Sequence, residues 1–168
     1  DTDAFVARLD ATGGFTWATR GGGVGGDSGT GIATFADGSA IVTGRFASLV
    51  NGVGGSADFG TSRFSRAGSG NDTDIFVARL NADGSYAWST QAGGSGLDAG
   101  AAVATLTDNS AIVAGSFTGN AVFGNFPLAS VGGSDAFVAR LDAGGSFLWA
   151  AQAGGTGNDE ATGLVTLA

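Results

Sequence analysis

The chain has 168 residues, of which 33 are glycine, while 43% are hydrophobic and only 13% are charged. A disordered chain shows the opposite balance, so this sequence is predicted to fold. Cysteine and histidine are absent, which excludes disulfides, zinc fingers and nucleophilic sites that rely on either residue. The net charge of −8 argues against nucleic acid as a partner, and no apolar run approaches the roughly 20 residues that a membrane-spanning helix needs.

One segment recurs three times along the chain. It reads DAFVARLD from Asp3, DIFVARLN from Asp74 and DAFVARLD from Asp135, at steps of 71 and 61 residues. A tryptophan and a loop aspartate follow each copy at the same spacing: Trp17, Trp88 and Trp149, and Asp27, Asp98 and Asp159. Internal duplication of this kind indicates a repeat architecture.

Each repeat is predicted to form four short strands, here called strands A to D in the order of a complete repeat. Strand C covers residues 4–9, where side chains alternate with the period of a pleated strand. Strand D is predicted at 15–20, strand A at 32–35 and strand B at 40–46. No helical periodicity persists for more than a few residues, so the chain is predicted to be all-β.

The turns within each repeat carry their own signal. Gly13, Gly84 and Gly145 fall in register between strands C and D, as expected for the left-handed residue of a short hairpin loop. Between strands A and B, Gly38 is replaced by Asn109 in the next copy, which predicts a positive φ at that position.

Two successive hairpins with small residues in their strands predict β-propeller blades of four antiparallel strands, stacked face to face. Phe5, Trp17 and Ile41 and their counterparts are expected to fill the space between blades. The chain then holds fewer than three blades. Residues 1–29 are predicted to hold strands C and D of a first blade, and residues 159–168 strand A of a next blade. Between them, residues 30–97 are predicted to form a full blade with a long B–C insert at 47–73. Residues 98–158 are predicted to form a full blade with a shorter insert at 118–134.

The order of these motifs resembles a known repeat. The repeat is similar to the bacterial β-propeller repeat abbreviated SBBP, because its motifs follow in the order strand-DG-strand, an insert with DFG, DAFVARLD, GG-aromatic-x-W and GGxGxD. Its strand pattern also looks like that of NHL propellers. The resemblance covers nearly the whole chain. It implies a secreted or cell-surface bacterial protein, and it carries over no catalytic residue.

The incomplete strand count leaves two arrangements open. In one, the chain is a segment of a longer propeller. In the other, chains assemble, and the terminal strand A (162–167) of one molecule joins the first C and D strands of the next. Head-to-tail contacts of this type give a ring when the rotation closes and a filament when it does not.

The motif GGxGxD ends at Asp27, Asp98 and Asp159 and also opens the calcium-binding nonapeptide of some β-solenoids. Calcium needs six to eight oxygen ligands, and those solenoids supply them from directly adjacent repeats. Because each copy here stands alone, the favoured interpretation is that the aspartates accept backbone N–H bonds in a tight crossing. No cofactor is therefore expected, and calcium at these three residues is the alternative.

Two further series recur at one blade position each. Arginine in strand C is expected to pair with a neighbouring aspartate, with a ligand rim as the alternative. Tryptophan in strand D is expected to pack between sheets, with a sugar-stacking platform as the alternative. The two series are Arg8, Arg79 and Arg140, and Trp17, Trp88 and Trp149.

The long inserts and the GGxGxD loops emerge on the same side of the predicted blades, opposite the tight turns. Variable loops on a rigid scaffold are a common place for binding. We therefore predict that this insert face is the interaction surface, with the candidate residues Asp58, Phe64, Arg66 and Phe126. Paired carboxylates suited to glycoside hydrolysis are not evident.

The sequence thus favours a non-enzymatic, extracellular propeller-repeat module that serves as a structural or protein-interaction unit of a bacterial surface protein or fibre. Its expected partners are other protein chains, including copies of itself, or the rest of a longer propeller. The alternative function is a carbohydrate- or calcium-binding, lectin-like propeller.

Overall fold

The computed structural model describes residues 2–47, 49–50, 53–54, 56–65 and 72–166. Within these ranges the chain forms fourteen strands and no helix, which confirms the all-β prediction. The strands are β1 (Ala4–Leu9), β2 (Phe15–Gly23), β3 (Ser28–Thr34), β4 (Ala40–Phe46), β5 (Leu49–Val50), β6 (Val53–Gly54), β7 (Ala57–Phe59), β8 (Ser62–Phe64), β9 (Asp74–Leu80), β10 (Tyr86–Gly94), β11 (Ala99–Thr105), β12 (Ala111–Phe123), β13 (Phe126–Leu141) and β14 (Phe147–Ala153).

Two complete four-stranded antiparallel blades are formed. In the first, β3, β4, β9 and β10 pair in that order as strands A to D, and Ala40 lies opposite Leu80. In the second, β11, β12, β13 and β14 pair in the same order, and Ala111 lies opposite Leu141. The strands β1 and β2 pair as strands C and D of an N-terminal half-blade. The predicted pairing order of strands A to D is therefore present in both sets of strands.

Short hairpins from the inserts tie each blade to the one before it. The β7–β8 hairpin pairs with the end of β2 through Gly22 opposite Asp58 and Gly23 opposite Ala57. In the next blade, the ends of β12 and β13 take the place of this hairpin. There Gly94 of β10 lies opposite Ala121. The shorter insert, predicted at 118–134, is thus an extension of strands B and C themselves.

The apolar core lies between successive blades, because alternate side chains of a strand point to opposite faces. On β9, Ile75 and Val77 join the cluster that faces the second blade, whereas Phe76 and Ala78 join the cluster that faces the half-blade. Each blade therefore buries its apolar side chains only through contact with a neighbour, as repeat architectures require.

The predicted turn conformations are confirmed. The three glycines between strands C and D have φ between 84° and 89°. Gly38 has φ 80°, and Asn109, its counterpart, has φ 63°. Asparagine tolerates this left-handed region better than most residues, which explains the exchange between the two copies.

Several strand boundaries differ from the sequence prediction. Strand D is longer than expected, since β2 runs through Gly23 rather than ending at residue 20, and strand A begins at Ser28 rather than at residue 32. The last strand A, predicted within 159–168, is not formed, because residues 154–166 contain no strand. A strand needs a neighbour to bond with, and no described strand pairs with these residues. Hydrogen bonds to other parts of the chain hold them instead, among them those from the Asp159 N–H to the Ser134 carbonyl (2.7 Å), from the Ala161 N–H to the Gly115 carbonyl (3.4 Å) and from the Thr166 hydroxyl to the Thr105 carbonyl (3.3 Å).

Candidate interaction surface

Each loop aspartate forms hydrogen bonds with backbone groups from separate segments of its repeat. The two carboxylate oxygens of the buried Asp98 accept the N–H groups of Gly94 (2.7 Å) and Thr118 (3.0 Å). The backbone N–H of Asp98 donates to the Thr73 carbonyl at 2.9 Å. Asp27 accepts the N–H groups of Gly23 and Ala47 in the same way. The prediction that these aspartates accept backbone N–H bonds in a tight crossing is confirmed.

Burial raises the pKa of the carboxyl groups of Asp98 and Asp27. Desolvation raises the pKa of Asp98 to about 6, and the nearby carboxylate of Asp74 adds to this effect. Desolvation also raises the pKa of Asp27, with a smaller contribution from the charge of Asp3. Within the described residues, no group of three or more acidic, histidine or cysteine side chains is arranged to hold a metal ion.

The strand C arginines hold the turn between strands A and B. Arg140 donates to Asp108 (2.6 Å) and to Ser110 (3.1 Å). Arg79 repeats this arrangement with Asp37 (3.3 Å) and Ser39 (3.1 Å). These contacts confirm the predicted pairing of the strand C arginine with a nearby aspartate in both complete blades.

Arg8, the third member of the series, differs from the other two. It is exposed and donates to the Ala82 carbonyl at 3.4 Å, and no carboxylate within the described residues pairs with it. In the part of the chain that the structure describes, no turn with an aspartate and a serine two residues apart lies beside β1 to pair with it. The half-blade therefore presents an unpaired cation at its outer edge.

The tryptophans of strand D bind the next blade. The indole N–H of Trp17 donates to the Ala82 carbonyl at 2.9 Å, and that of Trp88 donates to the Ala143 carbonyl at 2.9 Å. Each ring lies over a turn glycine, and a Cβ at Gly84 would come within 2.6 Å of the Trp17 ring. The predicted packing of tryptophan between sheets is confirmed for these two residues. Trp149 has no next blade within the described residues and is exposed.

The predicted insert face is divided between core and surface. Asp58 is exposed and pairs with Arg63 at 2.9 Å, which lowers the pKa of its carboxyl. Phe64, in contrast, is buried and stacks on Phe59 with ring centroids 5.5 Å apart. Its placement at the partner surface is corrected, because pairing of the β7–β8 hairpin with β2 turns this ring into the core. Phe126 is half-buried against the core, and Arg66 lies outside the described residues.

Large apolar side chains are exposed elsewhere, at the open end of the half-blade. Phe5 is 73% exposed, whereas its counterparts Phe76 and Phe137 are each 1% exposed. Ile32 of β3 is 58% exposed, whereas its counterpart Val103 is 8% exposed. Phe5 was expected to fill the space between blades, but no described residues form the blade surface that would cover it. Residue type alone did not reveal this surface, although the strand count indicated an open end.

A groove separates β1 from β3 at this open end. One part of it, with a volume of about 410 Å³, is lined by Val6, Arg8, Leu9, Ile32 and Phe35 among others. The adjoining part is lined by Phe5 and by the Gly29–Ile32 stretch of β3. We call this feature the open-end groove, defined by Phe5, Arg8, Leu9 and Ile32.

Comparison with known proteins gives no relative for this chain. No protein-family model matches it, and a search of the curated proteins found no match. Within the described residues, no helix is long and apolar enough to cross a membrane. The fold therefore defines the chain as an all-β protein of propeller-type blades, and its function is inferred from its surfaces.

Proposed function

We propose that the chain is a non-enzymatic, extracellular β-propeller-repeat module that serves as a structural or protein-interaction unit of a bacterial surface protein or fibre. The observation that supports this proposal best is the open-end groove, where Phe5 and Ile32 are exposed although their counterparts in the other blades are buried. Contiguous exposed apolar surface of this kind marks interaction sites.

The acidic residues favour a structural role over a catalytic one. General acid–base chemistry needs a carboxyl group within reach of a substrate. Asp98, whose pKa burial raises to about 6, is fully buried and bonds to two backbone N–H groups. Its environment supports a role in holding the loop. The bacterial and extracellular assignments rest on the resemblance of the repeat to the SBBP pattern.

A carbohydrate-binding, lectin-like module is the second candidate. The observation that favours it is Trp149, which exposes its indole ring at the end of the second blade. Exposed aromatic rings of this type stack on sugars. The calcium-binding form of this alternative would require further oxygen ligands around Asp27, Asp98 and Asp159.

Sedimentation velocity over a range of concentrations tests the proposal. We expect the chain to associate, and we expect Phe5→Ser combined with Ile32→Ser to weaken that association. Leu148→Ser is the matched control, because it removes an exposed apolar side chain far from the groove. A 16.2 kDa monomer at every concentration, together with specific binding on a glycan array or a melting temperature that rises with calcium, would favour the alternative instead.

A further inference from the structure

We infer that the open-end groove binds a β-hairpin of the same type as strands A and B of the complete blades, supplied by another polypeptide segment. The occupant carries an Asp-x-Ser turn and a strand with the pattern Ala-Ile-Val-x-Gly-x-Phe. This inference rests on the proposed function, because it names the partner of the interaction surface. Three independent features of the groove support it.

The first feature is the unpaired edge of β1. It pairs with β2 on one side only, and no described strand covers its other edge. In the complete blades the same edge of strand C is covered by strand B along its whole length, from Ala40 opposite Leu80 to Phe46 opposite Asp74. An exposed edge is a template for strand addition, and the repeat shows which strand fits it.

The second feature is the charge of Arg8. In both complete blades the equivalent arginine bonds to an aspartate and a serine of the A–B turn, which are Asp108 and Ser110 in the second blade. Arg8 has no such partner in the described residues. A hairpin with an Asp-x-Ser turn would supply both acceptors, and the pairing would set the register of the hairpin on β1.

The third feature is the shape of the apolar surface. In the second blade, Gly115 of strand B lies opposite Phe137, and a Cβ at Gly115 would come within 2.0 Å of the Ala99 carbonyl oxygen of strand A and within 2.9 Å of the Phe137 ring. Gly44 repeats this relation in the first blade, at 2.0 Å from the Ser28 carbonyl oxygen and 2.8 Å from the Phe76 ring. The glycine of the pattern therefore makes room for the neighbouring strand A and for the ring opposite it. By the same register, the occupant places its glycine opposite Phe5.

These features also exclude a simpler occupant. The segment at 159–166, at the position expected for a strand A, has neither an Asp-x-Ser turn nor the strand B pattern. The A–B hairpins of an intact second copy are already paired with their own strands β9 and β13. A separate hairpin therefore meets all three requirements, whereas an intact copy of the chain can cover Phe5 and Ile32 by apolar contact but offers no free A–B hairpin to pair with β1.

A binding experiment with the full chain tests the inference. The probe is a dye-labelled peptide of residues 99–117, which contains the A–B hairpin of the second blade, and the readout is fluorescence anisotropy. We expect saturable binding that Arg8→Ala weakens about fivefold, as for a partly exposed ion pair. Asp108→Asn in the peptide should weaken binding of the original chain similarly and add little when combined with Arg8→Ala. Arg63→Ala is the matched control, since Arg63 is exposed and lies on β8.

The peptide variant Gly115→Val tests the predicted steric fit. We expect it to lower affinity at least tenfold, because its side chain would meet the Ala99 carbonyl within the hairpin as well as the Phe5 ring. A second arrangement joins residues 99–117 to the N-terminus through a flexible linker, which raises the effective concentration of the hairpin. Hydrogen exchange in β1 should then slow, and it should not slow when the tethered hairpin carries Gly115→Val.

The outcomes separate this inference from the proposed function. Absence of β1 protection in the tethered protein, or equal protection by the Gly115→Val hairpin, would overturn the inference. If the chain nevertheless self-associates through Phe5 and Ile32, the groove binds a second copy, and the proposed function survives. If neither hairpin binding nor association occurs, both proposals fail.

Discussion

Trp88 shows how a single side chain holds two blades together. Its indole N–H reaches the Ala143 carbonyl of the following blade, and its ring covers Gly145. Trp149 occupies the equivalent position in the second blade but is exposed, with no following blade in the described residues. Trp88 therefore stabilises the contact between two blades, whereas Trp149 makes no such contact within the described residues.

This pair of residues provides a matched test. We expect Trp88→Ala to lower the free energy of unfolding by about 3 kcal/mol, as for the loss of a large packed aromatic side chain. Trp149→Ala should cost less, on the order of 1 kcal/mol, because Trp149 is 38% exposed and meets no following blade within the described residues. Urea denaturation measures both. Equal losses for the two variants would show that Trp88 is not an inter-blade contact.

Asp98 makes stability depend on pH in an unusual direction. Its pKa rises from 3.8 to about 6 in the folded chain, so the native state keeps a proton that the unfolded state releases. The free energy of unfolding therefore falls as pH rises from about 4 to 6, by an amount on the order of 3 kcal/mol from this group. The penalty is absent below the lower pKa and complete above the higher one.

Urea denaturation at several pH values tests this expectation. Asp98→Asn should remove most of the decrease between about pH 4 and 6, apart from a constant offset for the altered hydrogen bond. Asp83→Asn is the control, because hydrogen bonds from Ser85 lower the pKa of the exposed Asp83. Its contribution has the opposite sign and is lost only as pH falls below the ordinary range of a carboxyl. An unchanged pH slope in Asp98→Asn would contradict the assignment.

At the scale of elements, the insert hairpins are what connect one blade to the previous one. The hairpin formed by β12 and β13 passes so close to β10 that a Cβ at Gly94 would lie 1.7 Å from the Asn120 carbonyl oxygen. Gly155, the counterpart of Gly94 after β14, has no atom within 4 Å of such a Cβ. The absence of a side chain at Gly94 is therefore a packing requirement that Gly155 does not share.

Alanine at these two glycines should have different effects. We expect Gly94→Ala to destabilise the chain by about 2–3 kcal/mol, since the backbone on both sides must move. Gly155→Ala should be neutral or slightly stabilising, because it restricts the unfolded chain without a clash. Thermal denaturation of the two variants measures the difference. Similar melting temperatures would contradict the pairing of β10 with β12.

Local chemistry explains which elements were predictable from the sequence. Strands B and C and the tight turns follow from period-two alternation and from residues that tolerate positive φ, such as Asn109. The burial of Phe64 did not follow, because its hairpin pairs with β2, a strand far from it in sequence. The last strand A was predicted from its similarity to earlier copies, but a strand also needs a pairing partner.

At the scale of the whole molecule, the apolar layers lie between blades. The half-blade at the N-terminal end therefore has apolar side chains that no neighbour covers and backbone groups of β1 that no described strand pairs with. The first complete blade has a neighbour on each face, and its strand β9 is almost entirely buried. The half-blade is covered on one face and leaves the outer edge of β1 open. The proposed interaction role depends on this difference between equivalent strands.

Native-state hydrogen exchange, resolved by residue, tests this central claim most directly. The account expects amides of β1 to exchange at least about 100-fold faster than the equivalent amides of β9 and β13, which serve as internal controls. The difference should be largest for amides directed toward the open edge. Equal protection of β1, β9 and β13 in the isolated chain would contradict the account, because it would mean that the edge of β1 is already covered.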